Sequence, residues 1–159
     1  MALRLAPLEL ASLGELLVDA FVVFVAEDER PLVGLAGLLD WRLAGALTRL
    51  LEAEALTGRL TEALLTVTNG RLAAPRILAF GVGPLEGAAT CFAEVAPRAV
   101  SAIEAAGLGS VAVGLPEVPR PNVSARMVVD SFARFTGEVL LLGDLKELGL
   151  ALPQAAKRG

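Results

Sequence analysis

Ala20-Phe21-Val22-Val23-Phe24-Val25-Ala26 is an unbroken apolar run set between Asp19 and the acidic turn Glu27-Asp28-Glu29. A strand with one wet face alternates apolar and polar side chains, so a Val- and Phe-rich run that is apolar at every position predicts a strand covered on both faces. Such a strand belongs at the centre of a sheet, and Pro31 marks its end. A layer is then needed on each side of it. From Leu38 to about Leu51, residues placed 100° apart put Leu39, Leu43, Ala46, Leu47, Leu50 and Leu51 on one side and Arg42, Thr48, Arg49 and Glu52 on the other. That spacing predicts one amphipathic helix.

Further along, Ala63 to Thr68 and Arg76 to Gly81 read as two strands that pair across a loop carrying Asn69-Gly70 and Pro75. Leu85 to Ala106 keeps helical apolar spacing for about six turns. Pro97 lies inside it and is expected to kink or split the helix near Ala96, at a cost on the order of 3 kcal/mol. Gly107 and Gly109 end that helix, Ser110 to Gly114 forms a short buried strand, and Pro116, Pro119 and Pro121 mark a loop. A third helix, about Val123 to Phe135, turns Val128, Phe132 and Phe135 inward and Arg126, Asp130 and Arg134 outward; Asn122 or Ser124 caps it and Gly137 stops it. Glu138 to Leu142 is a strand and Leu145 to Leu150 a last helical turn. At the other end, Leu3 and Leu5 alternate with Ala2, Arg4 and Ala6, a short edge strand stopped by Pro7. Strands alternating with helices predict a three-layer α/β/α fold with a mixed, largely parallel sheet. One domain is expected over residues 1–150, followed by a polar tail at 151–159.

Composition narrows the function classes. The chain has 159 residues, of which 55% are hydrophobic, enough for one sizeable core. Its longest uncharged run, Ala105 to Pro116, falls short of the roughly 18 residues that cross a bilayer, so a soluble protein without membrane association is expected. Glu9, Glu15 and Asp19 interrupt the apolar residues near the start, unlike a signal peptide. The net charge is −4 and the basic residues are dispersed, which argues against nucleic acid as a partner. Cys91 is the only cysteine, which fits a reducing, cytoplasmic setting.

The sequence contains no histidine, the commonest general base and metal ligand at neutral pH. Glu27, Asp28 and Glu29 are adjacent in a turn, where neighbouring side chains point apart, and read as a solvated loop and not as a metal site. Cys91, on the edge of an apolar stripe with Ala88, Phe92 and Val95, reads as a small hydrophobe. No catalytic residue, metal or cofactor is therefore expected. Gly81-Val82-Gly83-Pro84 follows a strand and leads to a helix, either as a tight connecting turn or as a ligand loop in which Gly81 and Gly83 present amides to a phosphate or carboxylate. Pro84 removes one donor, and no Walker or dinucleotide pattern accompanies the glycines. Trp41 falls on the polar side of its helix beside Gly45 and Thr48. Two readings stand: it packs under residues 27–35, or Trp41, Arg42, Gly45 and Arg49 form part of an interface with a protein partner or a second copy.

Several of these segments together resemble the amino-terminal domain of the leucyl aminopeptidase family. They are Asp19 to Val25, Leu39-Asp40-Trp41-Arg42-Leu43-Ala44-Gly45 with Leu47 and Leu50-Leu51, Leu56-Thr57-Gly58, Glu62 to Leu65, and Arg76 to Gly83 with the helix after it. The resemblance covers roughly residues 17–117. It implies a fold related to the macro domain, and it places the family's two-metal chemistry in a separate carboxy-terminal domain, so none of those metal ligands maps onto this chain. It also raises ADP-ribose binding, although Ala26-Glu27-Asp28 stands where ligand-binding macro domains carry Asn-Ala-Asn. The function expected is non-catalytic protein association or regulation. The alternatives are the amino-terminal part of an aminopeptidase whose catalytic domain is on another chain, and a module for nucleotides or phosphate sugars.

Overall fold

Alternation along each strand decides which layer a side chain enters. In Ala20–Val25 (β2), Ala20, Val22 and Phe24 join one apolar cluster while Phe21, Val23 and Val25 join the other, and all six residues are buried. The same parity rule divides Ile77 and Ala79 from Leu78 and Phe80 in Arg76–Gly81 (β4), and Leu140 and Leu142 from Val139 and Leu141 in Glu138–Gly143 (β6). The structure, a computed structural model, describes residues 1–116 and 121–153, with the side chains of residues 121 and 122 set aside.

With Ala2–Pro7 (β1), Ala63–Val67 (β3) and Ser110–Gly114 (β5), the described strands form one sheet in the order β1-β6-β5-β2-β4-β3. Neighbours run parallel except β3, which pairs antiparallel with β4 so that Leu65 faces Leu78. Leu10–Leu13 (α1), Gly34–Arg42 (α2) and Ala46–Glu52 (α3) cover one face; Ala88–Ala105 (α4), Pro121–Ser131 (α5) and Leu145–Ala151 (α6) cover the other. This is the expected α/β/α sandwich. Phe24 meets Phe92 edge-on at 4.8 Å between ring centroids, joining β2 to α4, and Phe132 meets Phe135 in the same manner at 5.5 Å. Among the described residues no helix is long and apolar enough to cross a membrane.

Four expectations need correction. The single helix over Leu38 to Leu51 is two helices: Ala44 and Gly45 take φ of 52° and 82°, and the chain turns a corner there. Leu39, Leu43 and Leu47 are all buried even so, because the break restores the apolar face after the turn. Next, α4 begins at Ala88, not Leu85, and runs through Pro97 without splitting; Pro97 is exposed, and so is Ala93, whose carbonyl loses its helical donor to the ring. In α5 the first residue is Pro121, so Ser124 stands buried inside the first turn and does not cap it. Gly137 follows the end of that helix at Ser131 and serves a different need, since the Gly109 carbonyl and the Phe135 ring leave it no room for a Cβ. Ala151, at the end of α6, is buried, and the residues from 154 lie outside the described ones.

Candidate functional site

In an open sheet of parallel strands, ligands enter where neighbouring connections leave in opposite directions. Here that point lies at the carboxyl ends of β2 and β5, since the chain proceeds from β2 towards β4 and from β5 towards β6. The space between them is about 10 Å³, the room of a single water at most. Leu35, from the first turn of α2, fills it: its side chain lies where a Cβ on Gly114 would sit.

The turn that carries Gly81 and Gly83 has its amides in use. Gly81 donates to the Glu62 carbonyl at 2.9 Å, Val82 to Val25 at 3.0 Å and Gly83 to Gly58 at 2.9 Å. Pro84 has no amide hydrogen, and Leu85 donates to the Asp28 carboxylate at 2.8 Å. An anion at this turn would have to displace bonds that hold the sheet to its neighbouring loop. Close approach explains the glycines themselves. The Arg59 carbonyl occupies the place of a Gly81 Cβ, and Gly83 needs its φ of 75°. Nor does the turn open the helix, because α4 starts only at Ala88, after Gly87.

Trp41 presents a different surface. It projects from the last turn of α2 with 76% of its area exposed, so it is not packed under residues 27–35. Beside it is an open hollow of about 520 Å³ whose floor and rim include Pro31, Leu32, Gly37, Ala44 and Gly45. Gly37 lets the chain at Leu32 lie close, as a Cβ there would come within 2.6 Å of the Leu32 carbonyl. Asp40 fixes the corner: one carboxylate oxygen accepts from the Thr48 amide at 2.9 Å, the other from the Thr48 hydroxyl at 2.5 Å, and its carbonyl accepts from Gly45 at 2.8 Å. Arg49 adds a bond at 2.8 Å to the Ala44 carbonyl. Trp41 and Gly45 thus share one hollow with Arg49 behind Gly45, while Arg42 turns away, its guanidinium lying over Gly14.

The other candidates stay apart. In the acidic turn Asp28 is exposed, as expected of a solvated loop, and also accepts from the Leu85 amide. Among the described residues no three His, Cys, Asp or Glu side chains gather to hold a metal ion, and Cys91 is a free, partly buried thiol. Three further carboxylates brace turns and corners of the fold. Asp19 accepts from the Gly109 and Ser110 amides at 2.7 and 3.0 Å, and Asp40 locks the helix corner. Glu62 accepts from the Thr57 amide and hydroxyl and the Gly58 amide at 2.5 to 3.0 Å. Partial burial works to raise the Glu62 pKa, but the hydrogen bonds from Thr57, Gly58 and Arg59 together outweigh it and hold the carboxyl below the ordinary glutamate value. The available signal was an acidic residue within a few positions of Thr and Gly in a loop, a pattern too common to single out.

Comparison with known proteins places this arrangement. Tomato leucine aminopeptidase, in a variant form, superposes with a TM-score of 0.62 at 14% identity over 98% of this chain and 36% of that one. The chain thus spans about a third of that enzyme's length. The macrodomain of Mycobacterium tuberculosis DarG gives 0.65 at 14% identity over 89% of this chain and 97% of that one. An Oceanobacillus iheyensis macrodomain solved with ADP gives 0.65 at 15% over 92% and 87%. At such identities the likeness speaks for a macrodomain-like fold alone. No curated protein matches the chain. The sequence profile of the cytosol aminopeptidase family, N-terminal domain, matches residues 22–146, most of the chain, from within β2 to the start of α6 and including the Trp41 corner, and this chain belongs to that family.

Proposed function

We propose that this domain works by protein association, without catalysis of its own, and that Trp41 is the anchor of its partner surface. The observation that carries the reading is a tryptophan 76% exposed at the rim of a largely apolar hollow, on a corner held by Asp40, Thr48 and Arg49. Exposed aromatic area on a rigid support loses little entropy on binding, and such residues dominate interface energetics. A sequence with no histidine, and only one cysteine, supports the non-catalytic part of the reading and a cytoplasmic setting. The test is affinity capture with the wild-type chain and Trp41→Ala side by side, followed by calorimetry with whatever protein is captured. Wild type should bind at least about tenfold more tightly. The same partner held with the same affinity by both would sink the proposal.

A second reading has its own support in the family match and in the length of the tomato enzyme. This chain is then the amino-terminal part of an aminopeptidase whose catalytic domain is on another chain. Adding the purified chain to such a catalytic chain should raise its hydrolysis of aminoacyl substrates, and no change in rate or mass would end that reading. The ligand-module reading draws only on the likeness to a macrodomain solved with ADP. The filled crevice and occupied amides predict that ADP produces no thermal shift, and a shift lost in Gly83→Val would reverse that prediction.

A further inference from the structure

β3 closes one side of the sheet and no described strand lies beyond it. Its pairing with β4 fixes which backbone groups are used. Gly81 donates to the Glu62 carbonyl and Thr68 to the Pro75 carbonyl, with Leu64 opposite Ala79 and Thr66 opposite Ile77. Residues 62, 64, 66 and 68 therefore turn their amides and carbonyls towards β4, and by alternation Ala63, Leu65 and Val67 turn theirs outward. The side chains of these three are exposed, Leu65 by 52% and Val67 by 58%. They stand on the face of the sheet that carries Leu78 and Phe80. No charged residue occurs from Ala63 to Gly70, and no proline interrupts the strand. An edge of this kind lacks the usual devices against pairing with another chain.

We propose that β3 pairs antiparallel with β3 of a second copy, making one continuous sheet across a two-fold axis at Leu65. The strand is its own complement. With Leu65 opposite Leu65 of the second copy, Ala63 falls opposite Val67 and Val67 opposite Ala63, so each outward residue exchanges two backbone hydrogen bonds with its opposite number. The apolar row continues across the axis, with the small Ala63 against the larger Val67, and no like charges meet. Beside the strand, a hollow of about 250 Å³ between α3 and β3, bordered by Arg49, Leu50, Val67 and Asn69, leaves the approach open on the other face. A single pair of short strands buries less than the roughly 1,200 Å² of a standard stable interface, so the dimer is expected to dissociate on dilution. This surface is separate from the Trp41 hollow and does not depend on the reading given to it.

Sedimentation velocity over a wide concentration range tests the proposal with the full chain. Wild type should pass from monomer to dimer, and Trp41→Ala should do the same. Leu65→Lys and Leu65→Glu each place like charges against each other across the axis and should weaken dimerisation at least about tenfold. Circular dichroism melts should stay close to wild type, since Leu65 is half exposed. Mixing the two variants sets Lys opposite Glu and should restore the dimer, a result that only pairing at position 65 produces. A wild type that stays monomeric throughout, a dimer unaffected by Leu65→Lys, or a dimer lost in Trp41→Ala would each overturn the proposal. The first of these would leave the edge to a strand of a different protein.

Discussion

The two edges of this sheet are built on opposite plans. β1 ends the parallel side with a charge at Arg4, a proline at Pro7 that lacks an amide hydrogen, and α6 packed close to it. β3 ends the other side antiparallel, uncharged along its length and with its outward side chains left half bare. Both are edge strands of similar length, so the contrast lies in side-chain chemistry and cover. A guarded edge keeps a sheet solitary, whereas an unguarded one with a well-defined register invites a partner strand. On the β3 side the approach loop, Thr57 to Glu62, is held to itself by Glu62 and to its neighbours by bonds from Arg30 to the Thr57 carbonyl and from Gly83 to the Gly58 carbonyl.

Four substitutions sharpen that comparison, beginning with the largest expected effect. Gly81→Val drives a branched side chain into the Arg59 carbonyl where the loop before β3 crosses β4, and should cost at least about 3 kcal/mol in a urea unfolding series. A loss under 1 kcal/mol would mean that the crossing is loose. Glu62→Gln removes the charged acceptor of the same loop and should cost about 1–2 kcal/mol at neutral pH. Its folded pKa is depressed, so the wild-type contribution is fully present above the unfolded value and is lost as pH falls from there through the folded one; the gap between variant and wild type should close in acid. A gap that widens in acid would contradict the assignment.

On the guarded side, Asp144 accepts from the Lys146 and Glu147 amides at 2.9 and 3.0 Å and starts the helix beside β1. Asp144→Ala should cost about 1 kcal/mol, read as a lowered Tm, and an unchanged Tm would make that cap dispensable. Leu65→Thr should change stability by less than about 0.5 kcal/mol, because its side chain meets mostly water in the single chain. A drop well beyond that, measured where the chain is monomeric, would show that the β3 edge is covered after all.

Much of this fold was legible because strand parity is a strong signal. Ala20 to Ala26 could only be a central strand, and the pairing of β3 with β4 followed from turn formers between two apolar runs. The corner at Ala44-Gly45 was hidden for a physical reason. Leucines 39, 43 and 47 keep helical spacing across the break, and an angular projection registers spacing but not the sign of φ. Of the surface residues, the exposure of Trp41 could be anticipated from its place on the polar side, whereas the turn of Arg42 towards Gly14 depends on α1, a four-residue helix too short to leave a periodic signal. The glycine turn was ambiguous for a related cause: whether an amide is free depends on carbonyls more than twenty residues away, such as Gly58 and Val25.

Trp41 is the chain's sole tryptophan, and there is no tyrosine. Almost all of the light this protein emits on near-ultraviolet excitation therefore comes from one indole already in contact with water. Unfolding moves that ring from solvent to solvent and should leave the colour of its emission nearly unchanged, so a melt followed by fluorescence would be almost silent while circular dichroism reports the full transition. The same indole should shift to the blue when something dry covers it. In this domain the optical signal is a detector of contact and not of folding.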